Sequence, residues 1–245
     1  VEALQAAWSA IVNGEGLVDT LERAVRGGRD ADTVAAIAGG LVGAQWGLSA
    51  IPAAWQRIAH GWPGLRSLDL VRLSTEVLRG KPTDERIDYA GYGDISTLVQ
   101  HPHDPGVWLG AVGALDNLPP EVDAVVSLCR IGSKQVPARI RERIEIRLID
   151  RVEPDENPNL SFVLSDAADA VATLRSEGHT VLLHCVQAQS RTPTVAALYA
   201  ARHLDIPIER ALSEVSAALP HARPNRTFRA ALQSPELTNL RSGHS

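Results

Sequence analysis

Cys185 and Arg191 stand six positions apart in the run His184-Cys185-Val186-Gln187-Ala188-Gln189-Ser190-Arg191-Thr192, and this pair suits chemistry on a phosphate. A cysteine thiolate is a strong nucleophile. Arginine offers a planar, two-pronged donor that matches phosphoryl oxygens in a way lysine does not. The residues between them, Val186 to Ser190, can curl so that their N–H groups converge on one centre at a helix N-terminus, forming an anion nest. The hydroxyl of Thr192 is placed to bond the sulfur as it leaves a phosphocysteine intermediate. No metal is called for in this chemistry. The bare spacing is weak evidence, because a Cys followed six residues later by an Arg arises by chance about one time in six in a chain this rich in arginine. Context strengthens it: an apolar, strand-like run from Thr180 to Leu183 leads in, and a helix-compatible run from Thr194 to His203 leads out.

His184, Cys185, Arg191 and Thr192 together resemble the motif of the protein tyrosine and dual-specificity phosphatase family, with the likeness extending from about Val107 to Leu232. The resemblance implies a cysteine-dependent phosphatase with an α/β fold and no cofactor, acting on a phosphorylated protein or a small phosphate ester. Many members carry Gly where this chain has Ala188. The family's general acid is an Asp just after a strand. Asp150, at the end of Ile144 to Ile149, is the first choice, and Asp155, better spaced from Asn159-Leu160, is the alternative. By resemblance to lipid-type and regenerating-liver phosphatases, Cys129 is a candidate redox partner that protects Cys185 from over-oxidation.

A second run, Gly27-Gly28-Arg29-Asp30-Ala31-Asp32-Thr33, precedes a helical stripe at positions 34, 37, 38, 41 and 42. Gly39, Gly40 and Gly43 within that stripe leave room for a neighbouring helix. Asp30 and Asp32 suit a helix N-terminus, and with the Thr33 hydroxyl they also offer the hard oxygens that magnesium prefers. With Ile51-Pro52 and Trp55, this run resembles the C-terminal part of the ADP-ribosylglycohydrolase family, over about Ala3 to Ser74. That family builds a binuclear magnesium site with further acidic ligands from an N-terminal half. Magnesium is therefore expected only if a missing part completes the site, and the segment reads as truncated and inactive. A magnesium-dependent ADP-ribosylglycohydrolase is one alternative function, and a non-catalytic phosphate-binding module is another.

The elements that must position these groups read as an α/β layer with a central sheet flanked by helices, preceded by an all-α segment. Strands are expected near 107–110, 122–129, 144–149 and 180–184, with helices near 159–177, 191–203, 207–218 and 225–233. The expected division is a helical fragment at 1–79, a connector at 80–106 and a phosphatase-like domain at 107–245. Within the connector, His101, His103 and Asp104 read as a solvated loop rather than a metal clip. The formal net charge of −5 argues against a nucleic-acid surface. No apolar run is long enough to span a membrane. The excess of Arg over Lys, 22 to 2, together with abundant Ala, suggests a high-GC bacterial genome, and a cytoplasmic location fits best. With no Met in the chain, a fragment or a non-ATG start is expected.

Overall fold

The computed structural model describes residues 2–28 and 30–238; Arg29, which interrupts the N-terminal motif, and residues 239–245 lie outside this range. Helices α1 (Glu2–Asn13), α2 (Leu17–Arg26) and α3 (Ala31–Trp46) form a small bundle. α3 buries Val34, Ala38 and Val42, one turn apart on a single face, the first two against alanines of α1 and α2 and Val42 against Leu17 and Ala50. Of the three glycines expected to admit a neighbour, only Gly39 does so: a Cβ there would meet Leu21 at 3.1 Å, whereas Gly40 and Gly43 face open space. The chain continues through α4 (Ala53–Ile58), a two-residue hairpin of β1 (His60–Gly61) and β2 (Leu65–Arg66), and α5 (Ser67–Arg79).

The central sheet contains β3 (Leu98–His101), β4 (Asp104–Gly110), β5 (Ala124–Ser127), β6 (Glu142–Glu145) and β7 (Val181–His184) in the order β3-β4-β7-β5-β6. Only β3 runs antiparallel to its neighbour. Helices α6 (Leu160–Ser176), α7 (Arg191–His203), α8 (Ile208–Ala218), α9 (Arg226–Leu232) and α10 (Pro235–Thr238) follow β6 in the chain. α6 buries Val163, Leu164, Ala167, Ala168, Val171 and Leu174, the periodicity of a helix lying on a sheet. α7 is buried on all sides from Thr192 to Ala200, as a helix surrounded by protein must be.

Part of the segment expected to be a connector belongs to the sheet. β3 and β4 form a hairpin whose register shifts between Gln100 and His101. Pro105 is tolerated there because the pairing of β4 with β7 begins only at Val107. Nor are the histidines of this turn solvated. His101 is buried, and its Nδ1 accepts the backbone N–H of His103 at 3.1 Å. Its Nε2 must then carry the proton, which goes to the Ala196 carbonyl at 3.2 Å. Asp104 accepts from Arg175 at 2.9 Å and from the Tyr199 hydroxyl at 2.7 Å. These partners hold the Asp104 carboxyl below its ordinary range despite the opposing effect of burial, which is the largest single influence on it.

The helical segment is built into the same body. Ala53 sits in the main hydrophobic core, and its N–H donates to both oxygens of Asp166 at 3.1 and 2.9 Å. Arg57 bridges Glu142 of β6 and Glu177 beyond α6. Asn159 Nδ2 donates to the Trp46 carbonyl at 3.1 Å and to Ser49 Oγ at 3.0 Å.

Candidate active site

β7 is the middle strand of the sheet, and it ends at His184 so that Cys185 emerges at its carboxyl end, directly before α7. Ligand sites in parallel sheets collect at this edge. The carbonyl of Val186 accepts from Val112 N–H at 3.1 Å, and that of Gln189 accepts from Arg223 N–H. Among the described residues, no backbone carbonyl receives the N–H groups of residues 186–190. Donors left free of backbone acceptors at the start of α7 are what an anion nest requires.

Ala188 reaches its place with φ = 57°, the left-handed region that a glycine adopts freely. Ala188 thus holds a conformation that suits glycine, at a cost of about 1–2 kcal/mol in backbone strain.

His184 supports the loop from below. It is fully buried, and burial pushes its pKa down to about 4, so it is neutral near neutral pH. Its Nδ1 lies 3.3 Å from the Cys185 carbonyl, which can only accept, so Nδ1 carries the proton. Nε2 is left to accept the Ser127 hydroxyl at 2.7 Å. The chain Ser127–His184–Cys185 carbonyl ties the loop that follows β7 to β5.

Arg191 is the first residue of α7. One guanidinium nitrogen donates to the carbonyls of Leu128 and Leu148, at 3.1 and 3.2 Å, where the chain leaves β5 and β6. Its Nε is buried without a hydrogen-bond partner, and Asp150 Oδ2 lies 3.7 Å away. The fork is thus fixed by two strand ends while donor capacity is left for a ligand.

Asp150, Cys185, Gln187, Ser190, Arg191 and Asn225 line a cavity of about 200 Å³. Asp150 Oδ1 accepts from the Ser190 hydroxyl at 2.8 Å and from Asn225 Nδ2 at 2.9 Å. Asp155 sits in an exposed turn, Pro154–Glu156, and does not line this cavity. Thr192 is buried, with its hydroxyl 3.5 Å from the Gly110 carbonyl, the same oxygen that receives the Cys185 N–H at 3.4 Å. Cys129 is buried and unoxidised beyond the end of β5. Burial raises its pKa well above an ordinary thiol, and the nearby Cys185 adds to the effect.

Sequence reasoning missed Asn225. It caps α9 by accepting the Phe228 N–H at 2.9 Å while donating to Asp150. An Asn just before an amphipathic run is a helix-start signal, which could have flagged the cap but not the donor role. Ser190 as an Asp150 partner was equally hidden, because the two residues are 40 positions apart.

Two comparisons bear on the phosphate-type site. Dual specificity protein phosphatase 1 of Arabidopsis thaliana is 27% identical over 134 residues, 54% of this chain and 66% of that protein. Dual specificity phosphatase 28 of Mus musculus is 32% identical over 138 residues, 55% of this chain and 82% of that protein. The chain belongs to the dual specificity phosphatases. Among solved structures, human DUSP28 aligns with this phosphatase at a TM-score of 0.48 and 25% identity, covering 58% of this chain and 93% of that one. Ahead of the phosphatase region, the ADP-ribosylglycohydrolase family model matches residues 1–86.

Asp30 and Asp32 are exposed at the start of α3, and Asp32 is held below its ordinary range by the Thr33 N–H and by a hydrogen bond with Asp30. Among the described residues no group of three His, Cys, Asp or Glu side chains is gathered there or elsewhere. Two carboxylates and a hydroxyl are too few hard ligands to hold two magnesium ions. Among the described residues, no helix of the phosphatase is long and apolar enough to cross a membrane.

Proposed function

We propose that the protein is a cysteine-dependent phosphomonoester hydrolase of the tyrosine and dual-specificity type. The observation that carries this reading is the meeting of Cys185, Arg191 and Asp150 around one cavity at the N-terminus of α7. The Cys185 thiolate attacks phosphorus, and the bond from phosphorus to the ester oxygen breaks. Asp150 gives its proton to the departing oxygen. Arg191 and the N–H groups of residues 186–190 hold the equatorial oxygens as charge shifts onto them. Water then attacks the phosphocysteine, Asp150 takes its proton, and the sulfur leaves as a thiolate beside the Thr192 hydroxyl.

The substrate is a phosphorylated protein or a small phosphate ester, and no step requires a metal. A nucleophile that must stay reduced, in a chain with one other cysteine, fits a reducing compartment such as the cytoplasm. Aryl phosphate hydrolysis in the presence of EDTA tests the reading. Activity should persist in the native chain and fall by about 1,000-fold or more in Cys185→Ser. Retained turnover in that variant, or dependence on added magnesium, would refute it.

A further inference from the structure

Beside the phosphate cavity lies a wider groove of about 650 Å³, and the two share Asp150 and Arg191. A phosphoester seated in the cavity must lay its remaining body along this groove. One wall consists of Leu48 and Ser49, which belong to the segment matched by the glycohydrolase family rather than to the phosphatase region. That wall is fastened in place. Ser49 Oγ and the Trp46 carbonyl both receive Asn159 Nδ2, and Ala53 next along the chain is anchored on Asp166.

Another wall carries Tyr89 and Tyr92, whose rings lie 5.6 Å apart. Tyr92 is 56% exposed, and its carbonyl accepts from Gln187 of the nucleophile loop. Away from the nest, the groove's charges are Arg130, Arg147 and Arg151 against Glu156, a local positive excess in a molecule of net charge −5. Arg147 pairs with Glu145 at 3.0 Å and Arg130 with Asp84 at 3.6 Å, while Arg147 Nε is enclosed without a hydrogen-bond partner and Arg151 has no ion pair among the described residues. An open groove with apolar and aromatic sides, an arginine-rich lining and one arginine, Arg151, outside any ion pair among the described residues favours a ligand that is itself anionic.

We propose that the glycohydrolase-like segment is the substrate-selecting wall of the phosphatase, and that the groove it closes receives a phosphoester carrying a second anionic group. This rests on the phosphatase reading above and names the substrate class for that site. The second anion would be an acidic side chain of a phosphopeptide or a second phosphate of a small ester. In either case Arg130, Arg147 and Arg151 would meet it, with Leu48 bounding the space.

The test uses the full chain and two matched substrate pairs: a phosphotyrosine peptide flanked by glutamates against the same peptide with glutamines, and a nucleoside bisphosphate against its monophosphate. The readout within each pair is the ratio of kcat/KM. At least one pair should favour the doubly anionic member by about ten-fold, the effect of one well-placed charge pair in a partly screened site. The pair that responds identifies the source. Leu48→Glu should lower that ratio by about five-fold or more, chiefly through KM, and Leu48→Lys should raise it, with Arg151→Gln lowering it independently. The opposed Leu48 variants separate a charge effect from misfolding, which would depress both members of a pair alike. Ratios near one in the native chain, or ratios unmoved by all three variants, overturn the proposal. If Cys185→Ser still hydrolyses every substrate, it is the underlying phosphatase reading that fails.

Discussion

The Ser190 hydroxyl donates to Asp150 at 2.8 Å, so the loop that follows β6 is latched onto the loop that carries Cys185. Asn225 fastens the same carboxylate from α9 at 2.9 Å. The candidate acid therefore sits at a junction of three elements, and its position depends on all of them.

If Asp150 is the acid, Asp150→Ala should lower kcat on an aryl phosphate by about 100-fold and remove the alkaline limb of the pH profile. Asp155→Ala should leave both within about two-fold, since its carboxylate lies in an exposed turn away from the cavity. The reverse pattern would move the role to Asp155.

Asn225→Ala removes both a helix cap and a donor to Asp150. Loss of the cap should destabilise the protein by about 1 kcal/mol in urea unfolding. Loss of the donor should lower kcat by less than Asp150→Ala does, because the carboxylate itself remains. An unchanged kcat would show that Asn225 does not position the acid.

Peroxide should link Cys129 to Cys185, which follow the paired ends of β5 and β7, where Ser127 stands opposite His184. The buried Cys129 thiol is a reluctant nucleophile, so the linkage should form slowly and faster at alkaline pH. Peptide mapping that finds Cys185 over-oxidised with no cross-link would exclude the pairing.

Asp166 gives a pH signature for the joint with the helical segment. Burial raises its pKa from 3.8 to about 6, even with the Ala53 N–H opposing the shift. The folded state thus binds more protons than the unfolded chain between these values, and stability falls as pH rises through that window. The loss is at most about 3 kcal/mol. Asp166→Asn, which cannot ionise, should flatten this decline in urea titrations at pH 4 and pH 7.

Ala188→Gly should change stability by less than about 1 kcal/mol. Relief of the left-handed strain, about 1–2 kcal/mol, is offset by the greater freedom of glycine in the unfolded chain and by the loss of a buried methyl group. A gain of several kcal/mol on urea unfolding would mean the loop is far more strained than its dihedral suggests.

The strand, loop and helix around Cys185 were legible in the sequence because three local signals coincide there: an apolar run, the Cys–Arg spacing and a helix-compatible run. The helices from α6 to α9 were expected near 159–177, 191–203, 207–218 and 225–233, close to where they lie. The β3–β4 hairpin was not, because His101 to Gly106 is dense in Pro and Gly and reads as a connector. Only the pairing pattern shows that Pro105 falls before the doubly bonded part of β4. β6 was expected over 144–149, yet its ladder spans Glu142–Glu145, and the departing chain supplies the Leu148 carbonyl that holds Arg191. Contacts such as Asn225 to Asp150 and Asn159 to Ser49 join residues 75 and 110 positions apart, and no local pattern encodes them.

Ala53 belongs to the helical segment by sequence and to the phosphatase core by contact. A cut near residue 80 would therefore not release a free-standing catalytic module. It would open a hole beside α6, strip Asp166 of its amide and leave Glu142 and Glu177 without their shared arginine. The stability of the catalytic region is thereby tied to contacts from a stretch that resembles another family.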